Sequence, residues 1–213
     1  MRRVLLRLTL AASLLIIIVA VVAMMVLRAS LPALDGEIEV DGLLANARIA
    51  RDVDGIPVIT ASSRTDLAFA TGFAHGQDRF FQMDMIRRQA AGELSDIVGG
   101  VAIDTDKRHR FHRFRSKAQA VIANAEERDR ALLVAYANGV NAGLQSLEAR
   151  PFEYFVLGGE PKLWLPEDSV LVVFAMYMQL NDARAIKDVR RGLARRVLPE
   201  EVYKWMYPQG TPW

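Results

Sequence analysis

The sequence contains no cysteine. Disulfides, thiolate metal sites and a cysteine nucleophile are therefore excluded, while the cellular compartment stays open. Histidine is almost as scarce, with only His75, His109 and His112. His109 and His112 stand at i,i+3, but no acid or further histidine completes a metal-like spacing, so zinc is not expected. Neither sign of charge dominates: 27 Lys and Arg against 25 Asp and Glu leave +2. A general attraction to nucleic acid is not implied. There is no G-x-S-x-G elbow and no phosphate-cradling glycine loop, and the serines have no His–Asp company nearby. Internal repeats and low-complexity tracts are absent. By itself the chain shows no complete catalytic constellation.

What it does have begins at the N-terminus. Leu8 to Leu27 reads LTLAASLLIIIVAVVAMMVL, without one charge. Twenty helical residues rise about 30 Å, the thickness of a bilayer core. Arg2, Arg3 and Arg7 precede the run and only Arg28 follows closely. That bias puts the N-terminus in the cytoplasm and the rest outside, in the periplasm or the extracellular space. A cleaved signal peptide competes with a retained signal anchor. The run exceeds the usual apolar region of about 7–15 residues, and Leu27-Arg28-Ala29 is a poor cleavage site, which favours the anchor. The expected organisation is a cytoplasmic 1–7, a single transmembrane anchor at 8–27, a linker at 28–35 and one domain over 36–213.

In that domain, Glu37–Val40 alternates as a half-buried strand would, and Asp41-Gly42 supplies a turn. Ala47 to Asp52 and Pro57 to Thr60 read as two strands around Asp54-Gly55. Ser63, with Asp66 three residues on, caps a helix. Its later part, Gln77 to Ala91, pairs Asp84 with Arg88 at i,i+4 and ends at Gly92. Glu126 to Leu147 is the clearest amphipathic helix. Pro151 and Gly158-Gly159 break the pattern. Asp168 or Ser169 then caps an apolar run to Leu180, too short to span a membrane and expected to be buried.

Asp104 to Lys117 holds six Lys or Arg and two His interleaved with Phe111 and Phe114. Such a patch can bind polyanions. The plainer reading, a solvated face or arginines paired to acids elsewhere, is favoured by the near-neutral chain. A lone His75 beside Gly76 reads as a packed, hydrogen-bonding side chain. Asp188 is the one acid in a basic helix. It can pair with Arg184 or Arg191, or serve as an oxygen ligand for a hard cation such as calcium.

The motifs R-D-V-D-G-I-P-V-I-T-A and D-L-A-F-A-T-G-F-A-H-G-Q-D-R-F-F-Q-M-D-M-I-R-R-Q-A-A-G-E-L-S resemble the start of the penicillin acylase (penicillin amidase) family. Y-A-N-G-V-N-A-G-L at 136–144, P-F-E-Y-F-V-L-G-G-E-P-K-L-W-L-P-E-D-S at 151–169 and the Y-P-Q-G-T-P-W ending are similar to its later segments, in order. The resemblance covers roughly 36–213. It implies an N-terminal-nucleophile hydrolase, made as a precursor that cuts itself into an α chain, a spacer and a β chain headed by a Ser nucleophile. This sequence looks like the α part. The nucleophile and most of the oxyanion hole would lie beyond it, so no catalytic residue is assigned here.

The implied fold is α+β: a mostly helical α-chain part of an αββα sandwich, whose strands near 37–60 would pair with the missing sheet. Gln77, Asp78, Asp84, Arg87 and Arg88 would be framework. The resemblance lays a structural calcium ligand on Asp188, where Glu is more usual, and places Met178 and Asn181 near the acyl pocket, with Tyr177 beside them. Penicillin G enzymes carry Arg and Phe where Asn181 and Asp182 stand, so a phenylacetyl preference does not carry over. The implied partners are the rest of the precursor, a small N-acyl amide substrate and the membrane through 8–27, with no nucleic acid. The alternative is a membrane-anchored extracytoplasmic helical binding or scaffold protein without catalysis.

Overall fold

The N-terminal apolar run becomes the first helix, α1 (Arg2–Ala29), and its described side chains are almost all exposed. The structure is a computed structural model that describes residues 2–181, 185–208 and 210. Arg7–Ala29 is long and apolar enough to cross a membrane. The chain divides into two compact units, 1–173 and 174–213.

In the first unit, β1 (Arg48–Arg51) and β2 (Pro57–Thr60) pair antiparallel, with Ile49 opposite Ile59 and Arg51 opposite Pro57. The Asp52 carboxylate shapes the turn by accepting from the backbone N–H groups of Asp54 and Ile56, at 2.9 and 2.8 Å. Gly55 takes the positive φ of 78° that the turn requires. The expected strand at Glu37–Val40 does not form; that segment is irregular. Within the described residues β1 and β2 have only each other, so each keeps one open edge.

Helix α2 (Arg64–Ala91) starts at Ser63, whose hydroxyl oxygen accepts from the Asp66 N–H at 3.0 Å, and stops at Gly92 in the left-handed region. Arg79, at φ −140° and ψ 17°, interrupts it. After α2 come α3 (Ser95–Val98), a 3-10 turn (Gly99–Ala102), α4 (Ile103–Arg110) and α5 (Phe114–Asn124). The α2–α3 junction is held by Asp106 of α4, which accepts from the N–H groups of Leu94 and Ser95 at 2.9 and 2.8 Å.

The principal packing is α2 against α6 (Glu127–Gln145). Four glycines bring the backbones together. A Cβ on Gly72 or Gly76 would sit 2.2 Å from the carbonyl oxygen of Tyr136 or Val140, and one on Gly139 or Gly143 within 2.0 or 2.1 Å of the carbonyl oxygens of Phe69 or Phe73. Around this contact Phe80, Ile97, Val140, Leu144, Tyr154 and Trp164 form one buried cluster; Phe69, Phe73 and Ala135 form another.

The sequence pattern reads as a break over 151–159, yet Pro151 starts a short helix, α7 (Phe152–Leu157), which Gly158 ends at positive φ. Helix α8 (Pro166–Leu180) begins earlier than expected. Pro166 occupies the first helical position, where its missing N–H costs nothing. Asp168 reaches back to accept from the Leu165 N–H at 2.8 Å instead of being the cap residue.

The second unit holds the end of α8, then α9 (Ile186–Val197) and α10 (Glu200–Met206). The apolar run ending α8 is not buried as expected: Met176, Tyr177 and Leu180 are exposed. So are Val189, Leu193 and Val197, which recur on one face of α9.

Gly139→Ala and Gly143→Ala are expected to lower stability by about 1–3 kcal/mol, because a methyl must displace a carbonyl. Gly192→Ala has nothing within 4 Å and should leave stability unchanged or raise it by up to about 1 kcal/mol. Urea midpoints of the intact protein measure the difference, and equal shifts would overturn the close-contact account.

Candidate functional site

The residues placed near an acyl pocket lie at the end of α8. Met178 is half-buried, Asn181 is exposed, and their i,i+3 spacing sets them on one side of the helix. The Asn181 side-chain amide donates to the Tyr177 carbonyl at 2.7 Å, closing the last turn. Asp188 sits exposed in the first turn of α9. Among the described residues no hydrogen bond or ion pair joins Asp188 to Met178, Asn181 or Arg191; the Arg191 guanidinium lies over the Tyr207 ring at 5.4 Å instead. Asp182 and Arg184 lie outside the described residues, as do Gln209 and 211–213 of the C-terminal motif.

No group of three His, Asp or Glu able to hold a metal occurs among the described residues. Calcium takes six to eight oxygens. A single exposed carboxylate fits it only as one contributor to a shared site.

The densest chemistry is in the first unit, on the second half of α2. Buried Asp84 accepts from Arg87 Nε at 2.7 Å, Arg88 Nε at 2.9 Å and the Tyr154 hydroxyl at 2.6 Å. Arg87 then spans to α8. Its Nη1 pairs with the buried Asp168 and donates to the Leu163 carbonyl at 2.8 Å, while its Nη2 donates to the Lys162 carbonyl at 2.5 Å. Its guanidinium lies 5.0 Å from the Trp164 ring centre. Arg115 closes the cluster on Asp168 at 2.8 Å and on Glu93 at 2.6 Å.

These partners are in this chain. The acids for Arg87, Arg88 and Arg115 need not come from elsewhere, as the sequence suggested for the basic helices. The i,i+3 and i,i+4 pairs around Asp84 are legible in the sequence. Asp168, 81 residues from Arg87, carries no such signal.

Asp66 is held below the usual carboxylate range by the Leu44 N–H and then the Ser63 hydroxyl. Burial pushes Asp106 up, but hydrogen bonds from Ser95 and Leu94 and the Arg110 charge outweigh it, and its carboxyl titrates low. Burial raises the Tyr154 phenol, and the adjacent Asp84 charge raises it further. His75 Nδ1 lies 2.9 Å from the Tyr136 hydroxyl. Burial lowers His75 against the opposing charge of Asp78, and burial pushes Tyr136 up to about 12. His75 is exposed and hydrogen-bonded, so of the packed or hydrogen-bonding role expected from the sequence the structure shows the second. Gln77 likewise donates to Ser146 at 2.9 Å, and Asp78 pairs with Arg51 at 2.7 Å. The polar residues of α2 are framework.

A family model described as penicillin amidase matches residues 46–212. The chain belongs to the penicillin amidase family. Among its relatives, a penicillin acylase 2 proenzyme of Pseudomonas sp. is 40% identical over 151 residues, covering 69% of this chain and 19% of that protein. An acyl-homoserine lactone acylase QuiP of Pseudomonas aeruginosa is 34% identical over 184 residues, 84% of this chain and 21% of that protein. A solved thermostable penicillin G acylase from Alcaligenes faecalis aligns with a TM-score of 0.60 at 26% identity, over 79% of this chain and 94% of that one. The chain thus spans about a fifth of the length of the curated relatives it matches.

Asp84→Asn should cost about 3–5 kcal/mol, since it leaves two buried guanidiniums short of a counter-charge. Guanidinium chloride unfolding reads this out; a loss under about 1 kcal/mol, the range of a surface pair, would contradict it. The depressed carboxyls fix a second expectation. The stability that Asp66 and Asp106 contribute is complete above the unfolded carboxylate value of about 3.9 and is lost as pH falls through their lower folded values. An Asp66→Asn, Asp106→Asn double variant should be less stable at neutral pH and show a shallower fall in urea midpoint below about pH 4. An unchanged acid slope would rule these carboxyls out.

Proposed function

We propose that this chain is the N-terminal, α-chain part of an amidohydrolase that cleaves N-acyl amides through an acyl-enzyme. The observation that carries the reading is the family match over 46–212 in a chain spanning only about a fifth of relatives named as acylases. The apolar surfaces left open on the end of α8 and on α9 support it, since they suit a larger αββα body formed with a β chain.

The nucleophile is a Ser heading that β chain. Its own α-amine, with a pKa near about 8, takes the hydroxyl proton at neutral pH as the oxygen attacks the amide carbon. The proton passes to the departing nitrogen as the C–N bond breaks, and water then releases the acid. Within this chain, Met178 and Asn181 line the acyl pocket. Asp188 gives one oxygen to a structural calcium whose other ligands lie outside these residues. Helix α1 anchors the enzyme, with its main domain outside the cytoplasm.

The full-length protein tests this. N-terminal sequencing of a second chain should find Ser first, and a panel of N-acyl amides, from penicillins to N-acyl homoserine lactones, should include substrates. Asn181→Leu should shift the ratio of kcat/KM between long and short acyl groups while leaving Tm unchanged. An unprocessed chain inert towards the whole panel would overturn the proposal.

A further inference from the structure

Helix α1 does not end in a free linker. The Ala149 N–H donates to the Ala29 carbonyl at 2.9 Å. The Ser30 hydroxyl lies 2.8 Å from the Arg150 carbonyl and 3.0 Å from the Val26 carbonyl, and Ser30 is itself buried. The end of the apolar helix is thus fixed to the segment that leads into α7.

Helix α7 has two unlike sides. Tyr154 faces the core and donates to Asp84. Phe152, Phe155 and Val156, at i, i+3 and i+4, share the other side and are 43%, 45% and 78% exposed. Phe152 lines one crevice with Met24, Leu27 and Leu31, whose polar wall carries Gln77, Asp78, Gln82 and Glu153, so the start of α7 lies level with the last turns of α1. Leu31, 63% exposed, continues the apolar surface between them. Two cations flank it. Arg28 ends α1, and the Arg150 guanidinium lies 4.3 Å from the Phe155 ring centre while its charge pairs with Glu160. Apolar rings beside long basic side chains at the end of an apolar helix are the composition of a membrane interface.

We propose that α7 is a second membrane contact: Phe152, Phe155 and Val156 rest in the lipid interface beside the outer end of α1, and the Ala149–Ala29 and Ser30–Arg150 hydrogen bonds hold them there. The occupant of this face is lipid, because it continues the surface of α1. An amphipathic helix so placed sinks about 5–10 Å into the headgroup and acyl boundary. The domain is then held in one orientation rather than swinging on a tether. This rests on the reading of α1 as a membrane anchor.

The absence of cysteine from these residues makes the test direct. The intact protein is placed in phosphatidylcholine–phosphatidylglycerol vesicles with an environment-sensitive fluorophore on Val156→Cys, Leu14→Cys or Glu127→Cys, the last at the far end of α6. The unsubstituted protein serves as the labelling background. Lipids carrying shallow or deep nitroxides are then added. The expected result is a blue-shifted signal from the probe at position 156, quenched most by the shallow nitroxide. The probe at position 14 should be quenched most by the deep one, and the probe at position 127 should be unaffected. Quenching at 14 without quenching at 156 overturns the inference and leaves the anchor standing, whether the 156 probe is in water or covered by protein. No quenching at 14 removes the anchor, and the inference with it.

Discussion

A buried guanidinium must find acceptors for its donors, and Arg87 does so by drawing three separate parts of the chain together. Its Nε is satisfied by Asp84 one turn earlier in α2. Its two Nη atoms reach the carbonyls of Lys162 and Leu163 and the carboxylate of Asp168. The segment before α8 is thereby fixed over the end of α2, and Asn141 fixes its other side by bonding both the N–H and the carbonyl of Trp164. Asp168 in turn starts α8 and receives Arg115. Removing water from so many charges is costly, and only nearly complete pairing makes the arrangement tolerable.

That requirement explains which parts of the fold could be read from the sequence. The Ser63 cap, the Gly92 stop, the hairpin turn at Asp54-Gly55 and the amphipathic α6 are local, and local chemistry is written within a few residues. Gly72 and Gly76 taken alone would only weaken a helix; Gly139 and Gly143 on the facing helix make them a close backbone contact. The expected strand at Glu37–Val40 alternates correctly but has no strand partner among the described residues, since alternation describes a face and not a neighbour. Helix α7 went unseen because six residues between Pro and Gly carry too little periodicity to show.

The candidate site was legible in a different way. Met178, Asn181 and Asp188 have no distinguishing local pattern; only likeness to the penicillin amidase family singles them out. They stand in a part of the chain, from Tyr177 through Leu193 to Trp205, where many apolar side chains are exposed. A folded protein seldom leaves so much apolar surface to water. The polar residues of α2, which catch the eye first, are by contrast mostly paired within this chain, with one buried nitrogen of Arg88 left without a partner among the described residues.

The interruption of α2 at Arg79 divides it into two rods with different dependencies. The first carries Gly72 and Gly76 and is held to α6 by close backbone approach, with the His75–Tyr136 and Gln77–Ser146 hydrogen bonds beside it. The second carries Asp84, Arg87 and Arg88 and is held by charge. Added side-chain volume therefore acts chiefly on the first, and loss of a buried charge chiefly on the second. Because the helical hydrogen-bond ladder is disturbed between them, a change of register in one rod need not be passed to the next. The same polypeptide segment can accept substitutions that reshape its glycine contact while its ionic end continues to hold the later chain in place.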